Sequence, residues 1–252
     1  MRKTTKKLIF VLASLLFWVG VWWVIAAVFA KPLLLPTPPA VAKALLALMG
    51  TAAFWKMVAT SLSRIVIGIL LALVAGGLLA LLTAKNSFFH HLFSPLLALF
   101  KATPVASVIF LMLLWIGRER VPLVIAFMMA LPIVWSNLQE GLLQTDRKLL
   151  EMASVFRLPW KAKLLHIHIP SITPYFFSAC RSAISLAWKA GIAAEVLCVP
   201  ENSIGRAIYE GKQYLLTNEL FAWTLTVVLI SVVIERGTLW LLAVKEKRKE
   251  SL

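Results

Sequence analysis

Six stretches of this chain, 8–30, 62–84, 92–117, 121–139, 172–199 and 219–244, are long, apolar and nearly free of charge. A helix that crosses a bilayer needs roughly 17–25 mostly apolar residues, and every one of these stretches is long enough. Composition removes a soluble fold from consideration: 61% of the 252 residues are hydrophobic and 15% charged, against about 45–50% and 25% in a soluble domain. Only 26 Lys and Arg and 11 Asp and Glu are available to cover that apolar surface, so most of it must face lipid or other membrane-buried helices. The prediction is an all-α integral membrane protein with six transmembrane helices. No repeat with a period of roughly 20–50 residues and no low-complexity tract divides the chain, so 1–252 reads as one membrane domain.

The net charge of +15 would suggest nucleic acid in a soluble protein. Here the cations cluster just outside the apolar runs, so topology accounts for them and no nucleic-acid partner is expected. An even number of spans puts both termini on one side. On that side stand Arg2, Lys3, Lys6 and Lys7, Lys85, five cations between Arg147 and Lys163, and four from Lys245 to Lys249, 14 in all, against eight on the other. Cytoplasmic loops carry the excess of Lys and Arg, which places both termini in the cytoplasm of a multi-pass cell-membrane protein. The first run resembles a signal peptide, with Val28-Phe29-Ala30 as a conceivable cleavage site. It is longer than a signal h-region of about 7–15 residues and reads as an uncleaved anchor.

After the first span, Leu33-Leu34-Leu35-Pro36-Thr37-Pro38-Pro39 cannot continue a helix, because three prolines fix φ and remove donors. It is an external turn, followed by an outer interfacial helix over 40–57. In the second span Gly68, Ala72, Gly76 and Ala80 recur every fourth residue, a small-residue stripe that admits close approach of another helix. Intramolecular packing and a dimer contact are its two readings, the first favoured.

The sharpest signal lies on the inner side, in the cytoplasmic loop over 142–169. Leu149 to Phe156 has helical spacing, Arg157-Leu158-Pro159 breaks it, and Trp160 to Ile167 forms a second short helix closed by Ile169-Pro170. Two short helices at a sharp angle present a knob. Leu150, Val155, Phe156 and Leu158 are apolar on a segment outside the lipid, so they fold back onto their own helix ends or need a protein surface to bury against.

Here the sequence resembles the permease subunits of binding-protein-dependent ABC importers, in the nitrate/sulfonate/taurine-type branch. Glu151-Met152-Ala153, six residues before Arg157 and followed by Ile169-Pro170, is similar to that family's cytoplasmic EAA-type loop. Also matching, in family order over nearly the whole chain, are Leu35-Pro36-Thr37-Pro38, Ser61-Leu62-Ser63-Arg64 with Gly68, Thr103-Pro104-Val105-Ala106-Ser107, Gly191-Ile192-Ala193-Ala194-Glu195, and Ser203-Ile204-Gly205. Arg157 stands where the family usually has Gly, and Met152 replaces its first Ala. A Gly there suggests a left-handed turn, which costs another residue roughly 1 kcal/mol or more, so Pro159 is a second candidate for setting the bend. The second proline common after the Thr-Pro motif is absent, with Phe110 near its place.

The resemblance implies an ABC type I importer permease fold with core helices around a two-fold axis. It implies three kinds of protein partner besides the membrane lipid: a second copy of the chain, two cytoplasmic ABC ATPase subunits, and an extracellular or periplasmic substrate-binding protein. It assigns Leu150, Glu151, Met152, Ala153, Val155, Phe156, Arg157 and Leu158 to the ATPase contact, a coupling helix whose displacement by nucleotide-driven closure is transmitted to the spans. ATP and Mg would belong to the ATPases. This chain is then a non-catalytic transport subunit with no cofactor of its own.

Charged groups inside spans are expensive, about 2.5–3.5 kcal/mol on insertion scales, and face protein or water. On the fifth span Ser178, Ser182, Ser185 and Lys189 fall within about 60°, with Arg181, Trp188 and Glu195 on the adjoining flank, a polar arc of roughly 140°. Such an arc lines a pathway or a helix interface. Lys189 would neutralise an anionic solute there, or pair with Glu195 or a partner subunit. In the third span Pro104 kinks the helix beside a cavity, which makes Lys101, Thr103 and Ser107 a second path-lining set; the rival for Lys101 is snorkelling. If both lysines line the path, the solute is a small anion.

Other signals lead nowhere. His166-Ile167-His168 and His90-His91 lack a carboxylate or thiol to complete a metal site, and residues two apart on a helix face apart. No phosphate-cradling glycine loop, no partnered serine nucleophile, and no internal duplication with a coupling-ion site is visible, which sets aside ATP binding by this chain, membrane hydrolysis and secondary transport. Cys180 and Cys198 lie about 27 Å apart on a helix, too far for a disulfide. The tryptophans suit interfacial belts, and the basic tail suits anionic lipid.

Overall fold

The structure is a computed structural model that describes the backbone of residues 2–250 and the side chains of residues 9–238. The basic clusters at Arg2–Lys7 and Lys245–Lys249, on which the cytoplasmic placement of the termini rests, lie outside the described side chains. Helices dominate. α1 (Arg2–Phe29) leads through the proline turn to α2 (Pro38–Met49), α3 (Ala52–Lys85), α4 (Ser87–Ala102), α5 (Val105–Ile116) and α6 (Val121–Leu143). Then come α7 (Arg147–Val155), α8 (Trp160–Lys163), a π-helical segment (Leu164–His168), α9 (Ile169–Cys198), α10 (Ile204–Gln213) and α11 (Thr217–Glu250).

Among the described residues four helices have the length and apolarity to cross a bilayer: Ile9–Phe29, Ala52–Lys85, Val121–Leu143 and Thr217–Thr238. Two of the six expected spans differ. In place of one span over 92–117 the chain forms α4 and α5, bent by 105°, because Pro104 has no N–H to continue the ladder and holds Thr103 extended at φ −76°, ψ 130°. Counted as one broken span the pair makes a fifth. The expected span over 172–199 lies in α9, whose 30 residues give about 45 Å of helix. That is enough to cross, yet α9 is too polar to rank with the other four.

The outer helix also differs from expectation. It does not run over 40–57 but ends at Met49, where Gly50 and Thr51 interrupt it. The Thr51 hydroxyl accepts from the Phe54 N–H at 3.3 Å and so starts α3 as an N-cap. α3 then runs 34 residues without a break.

α3, α6 and α9 pack on one another and form the centre of the fold. Lipid offers no hydrophobic drive between helices, so close approach through small residues supplies the contact. Gly68, Ala72, Gly76 and Ala80 are all buried, and this stripe faces α6: a Cβ on Gly76 would lie 2.8 Å from Val134 Cγ1. The stripe therefore serves packing within the chain. Trp135 of α6, 1% exposed, donates its indole N–H to Thr83 Oγ1 near the C-terminal end of α3 at 2.7 Å, which satisfies a buried donor at that interface. By contrast α1 from Ile9 onward is almost wholly uncovered, and the helix touches α2, with Trp22 stacked on Phe221 of α11 at 6.0 Å.

Candidate functional site

In the loop over 142–169 a turn over 156–159 separates α7 from α8, and this segment forms the knob. Asp146 caps α7, its carboxylate accepting from the Lys148 N–H at 2.8 Å. At the other end Arg157 takes φ +48°, the left-handed conformation. The Leu158 N–H donates to the Ala153 carbonyl at 2.9 Å and the Arg157 N–H to the Ser154 carbonyl at 3.0 Å, which is a Schellman C-cap with arginine where glycine is usual. The turn thus keeps the left-handed geometry despite the substitution, and Pro159 follows it as N-cap of α8.

The knob divides its apolar residues between two duties. Ala153 is buried, and Leu150 and Leu158 are half-buried against the chain itself. Val155 at 78% and Phe156 at 72% stay exposed, with Glu151, Met152 and Arg157 beside them in solvent. Trp160, 68% exposed, joins this surface and was not among the residues assigned to it from the sequence; as an apolar residue outside every span it carries the same signal as Phe156. The second loop helix does not close at Ile169-Pro170 as expected. Pro170 falls in the first turn of α9, and the Ile169 N–H reaches five residues back to the Leu164 carbonyl. Pro170 cannot donate to the preceding turn, and the chain widens into a π turn here where it was expected to stop. The knob is therefore continuous with α9.

On α9, Ser185 is half-buried beside α11, whereas Ser178, Ser182 and Lys189 are exposed and face away from the bundle. Glu195 does not. It is 0% exposed and faces α3 and α10, so its place in a translocation path is withdrawn. Its carboxyl accepts from Ser61 Oγ at 2.7 Å and from the Gly205 N–H at 3.2 Å, while Arg64 Nη1 lies 3.8 Å away. Ser61 Oγ in turn accepts from the Ile204 N–H at 2.9 Å. The pairing of Lys189 with Glu195 is thereby excluded. Arg181 pairs instead with Glu235 of α11 at 3.6 Å.

Beside α10 this knot continues into charges in solvent. Arg64 binds the Glu119 carboxylate and the Glu201 carbonyl at 3.2 Å, and Arg118 reaches Glu201 Oε1 at 3.0 Å. Three of the stretches that carried the resemblance, at Ser61–Arg64, Gly191–Glu195 and Ser203–Gly205, thus meet in one buried lock. On α10, hydrogen bonding to Glu210 raises the Arg206 guanidinium above its ordinary value, so it stays charged.

Lys101 and Ser107 are exposed on either side of the 105° bend between α4 and α5. The Thr103 hydroxyl is engaged locally, donating to the Leu99 carbonyl at 2.7 Å. α5 packs on α6 and α9, whereas α4 packs on α3 and α6; the bend thus brings the Ser107 side of this set toward α9 and leaves Lys101 on the other arm. Among the described residues no group of three or more His, Cys, Asp or Glu is placed to hold a metal ion, and Cys180 and Cys198 are free thiols.

Residues 64–249 match the family of binding-protein-dependent transport system inner membrane components. The chain belongs to that family. It is an integral membrane permease subunit of an ABC importer. Relatives include the taurine transport system permease protein TauC of Escherichia coli, 22% identical over 86% of this chain and 81% of its own length. The bicarbonate transport system permease protein CmpB of Synechococcus elongatus is 25% identical over 75% and 68%, and the nitrate import permease protein NrtB of the same species is 29% identical over 60% and 54%. The permease thus has the family's all-helical membrane architecture.

Proposed function

We propose that the permease works as two identical chains, with both termini cytoplasmic, passing a small anionic solute from an external binding protein to the cytoplasm. Two cytoplasmic ATPase subunits hold ATP and Mg and seat the loop over 142–169. The observation that carries this reading is the knob: Val155, Phe156 and Trp160 are apolar, lie outside the spans, and are 78%, 72% and 68% exposed. Surface of that kind is covered by a protein partner. Met152, Glu151 and Arg157 rim it, while Ala153, Leu150 and Leu158 hold its shape from beneath. Ser178, Ser182, Ser185 and Lys189 of α9 line the path, with Lys101, Thr103 and Ser107 at the α4–α5 bend as a second set. Two of the relatives are named for bicarbonate and nitrate, both monovalent anions, which fits lysines along that route.

Co-purification tests the assignment. A tagged permease brings down its ATPase subunits, and Glu151→Arg lowers the recovered ATPase at least about tenfold, a loss of roughly 1.4 kcal/mol or more, while membrane insertion is unchanged. Full ATPase recovery with both Glu151→Arg and Phe156→Asp removes the knob from the contact.

A further inference from the structure

The face of α9 beside α11 holds a cleft of about 290 Å³ lined by Arg181, Ser182, Ser185, Leu186, Lys189 and Glu235. Its three charges are not sealed in the bundle: the Arg181 and Glu235 side chains are 52% and 49% exposed and Lys189 is exposed. Charges within a span need protein or water around them, so lipid does not cover this face. The hydroxyls of Ser182 and Ser185 make no hydrogen bond among the described residues, although a helical serine ordinarily donates to a carbonyl one turn back, as Ser171 does here. Donors are therefore free in the cleft.

The charge balance is specific. Arg181 and Glu235 cancel at 3.6 Å. Arg236, the next residue, points about 100° away around α11 and does not line the cleft. Lys189, two helical turns and about 12 Å along α9 from Arg181, has no ion pair among the described residues. One positive charge remains. A monovalent anion neutralises it, whereas a divalent anion leaves an uncompensated charge, at a cost that is small while the cleft is open to water and rises as water is excluded.

We propose that this cleft is a cargo-binding step tuned to a small monovalent anion, in which Glu235 cancels Arg181 and leaves Lys189 as the binding charge. The inference rests on the α9 face being the path. It adds Arg181 and Glu235, on two different helices, as the residues that set cargo charge. Glu235 acts through Arg181 and is a positioning residue.

The test uses the whole complex, permease with its ATPases and binding protein, in a Cys180→Ser, Cys198→Ser background carrying Ser182→Cys. The new thiol is modified by an anionic methanethiosulfonate, the ethylsulfonate, and by a cationic one, the trimethylammonium-ethyl reagent, each rate normalised to a small thiol in solution. The anionic reagent is favoured by roughly tenfold, in keeping with the steering a fixed charge gives in a cleft. Lys189→Gln abolishes that preference, and Glu235→Gln raises it several-fold. Nitrate slows modification in the parent and sulfate does not; with Glu235→Gln sulfate also protects. Equal rates for the two reagents, or a preference untouched by Glu235→Gln, overturn the anion site alone. A thiol that reacts with neither reagent while uptake continues shows that the face is sealed by a second copy and removes it from the path. If Ser182→Cys does not assemble, Ser185→Cys in the same cleft takes the same tests.

Discussion

Ser61→Ala removes a single oxygen, and its cost follows from what that oxygen joins. Ser61 Oγ donates to Glu195 at 2.7 Å and accepts from the Ile204 N–H at 2.9 Å. Both Ser61 and Glu195 are 0% exposed, so water cannot replace either bond. The alanine orphans a backbone donor at the start of α10 and strips one of two hydrogen bonds from a buried carboxyl. Each group left unsatisfied costs about 1–3 kcal/mol, and since Gly205 still serves Glu195, a total of about 2–4 kcal/mol is expected. For a chain of this size 1 kcal/mol moves the midpoint by about 2–4 °C, which gives a fall in apparent Tm of roughly 4–16 °C. The measurement is loss of the monodisperse peak after heating detergent-solubilised protein. Ser63→Ala is the control: Ser63 is exposed and donates only to the Thr60 carbonyl at 2.8 Å, so its shift stays within about 0.5 kcal/mol. If Ser61→Ala and Ser63→Ala melt together, the lock does not hold α3, α9 and α10 as described. Non-additivity of Ser61→Ala with Glu195→Ala, by about 0.5–3 kcal/mol, confirms that the two act through one bond.

The left-handed cap and the small-residue stripe give two more tests. Arg157 at φ +48° carries the penalty of a side chain in that region, so Arg157→Gly stabilises the tip of α7 by up to about 1 kcal/mol; slower exchange of the Leu158 amide hydrogen reports it, and unchanged exchange contradicts the cap. Gly76→Ala drives a Cβ to 2.8 Å from Val134 Cγ1 and 3.2 Å from the Trp135 nitrogen, costing about 1–3 kcal/mol. Gly77→Ala meets only Leu138 Cδ1 at 3.8 Å and is neutral or stabilising by up to about 1 kcal/mol. Equal melting of the two alanine variants rules out the α3–α6 interface.

How far the sequence is legible depends on whether a feature is local. The spans are set by runs of apolar residues, and the knob by its turn residues, so both are readable along the chain. Pro104 announces a kink, yet its 105° angle depends on what α4 and α5 pack against. Glu195 shows the limit most plainly. A helical wheel gives a direction but not a neighbour, and its partners Ser61 and Gly205 are 134 positions away and on the following helix. Relative to the polar arc, the exposed face of α9 is turned by roughly 40°. Trp188 and Glu195 on one flank go inward, while Leu186, Ala193 and Leu197 on the other come out. Arg181 therefore sits at the edge of the open face with Glu235 in reach, a pairing between helices that no spacing in either one reveals.

These placements make α9 a mechanical element. Its inner end is continuous, through the π-helical segment Leu164–His168, with α8 and the exposed knob. Its outer end is fixed at Glu195 to α3 and α10, and between the two lie Arg181, Ser182, Ser185 and Lys189. Beyond Pro174, which removes one ladder hydrogen bond near its start, α9 is packed against α6 and moves as a rod. The π turn is the one place within this run where the hydrogen-bond ladder changes register, and such turns concentrate bending. With the outer end locked and the inner end hinged, a displacement of the knob rotates α9 about the lock and shifts its inner half furthest. Arg181 lies on that inner half and Lys189 nearer the pivot, so the same stroke that moves the knob changes the separation of Arg181 from Glu235 on α11 more than it moves Lys189. If the knob is the ATPase contact and the α9 face the path, as proposed above, coupling and cargo release share a lever whose fulcrum is the lock at Ser61, Glu195 and Gly205.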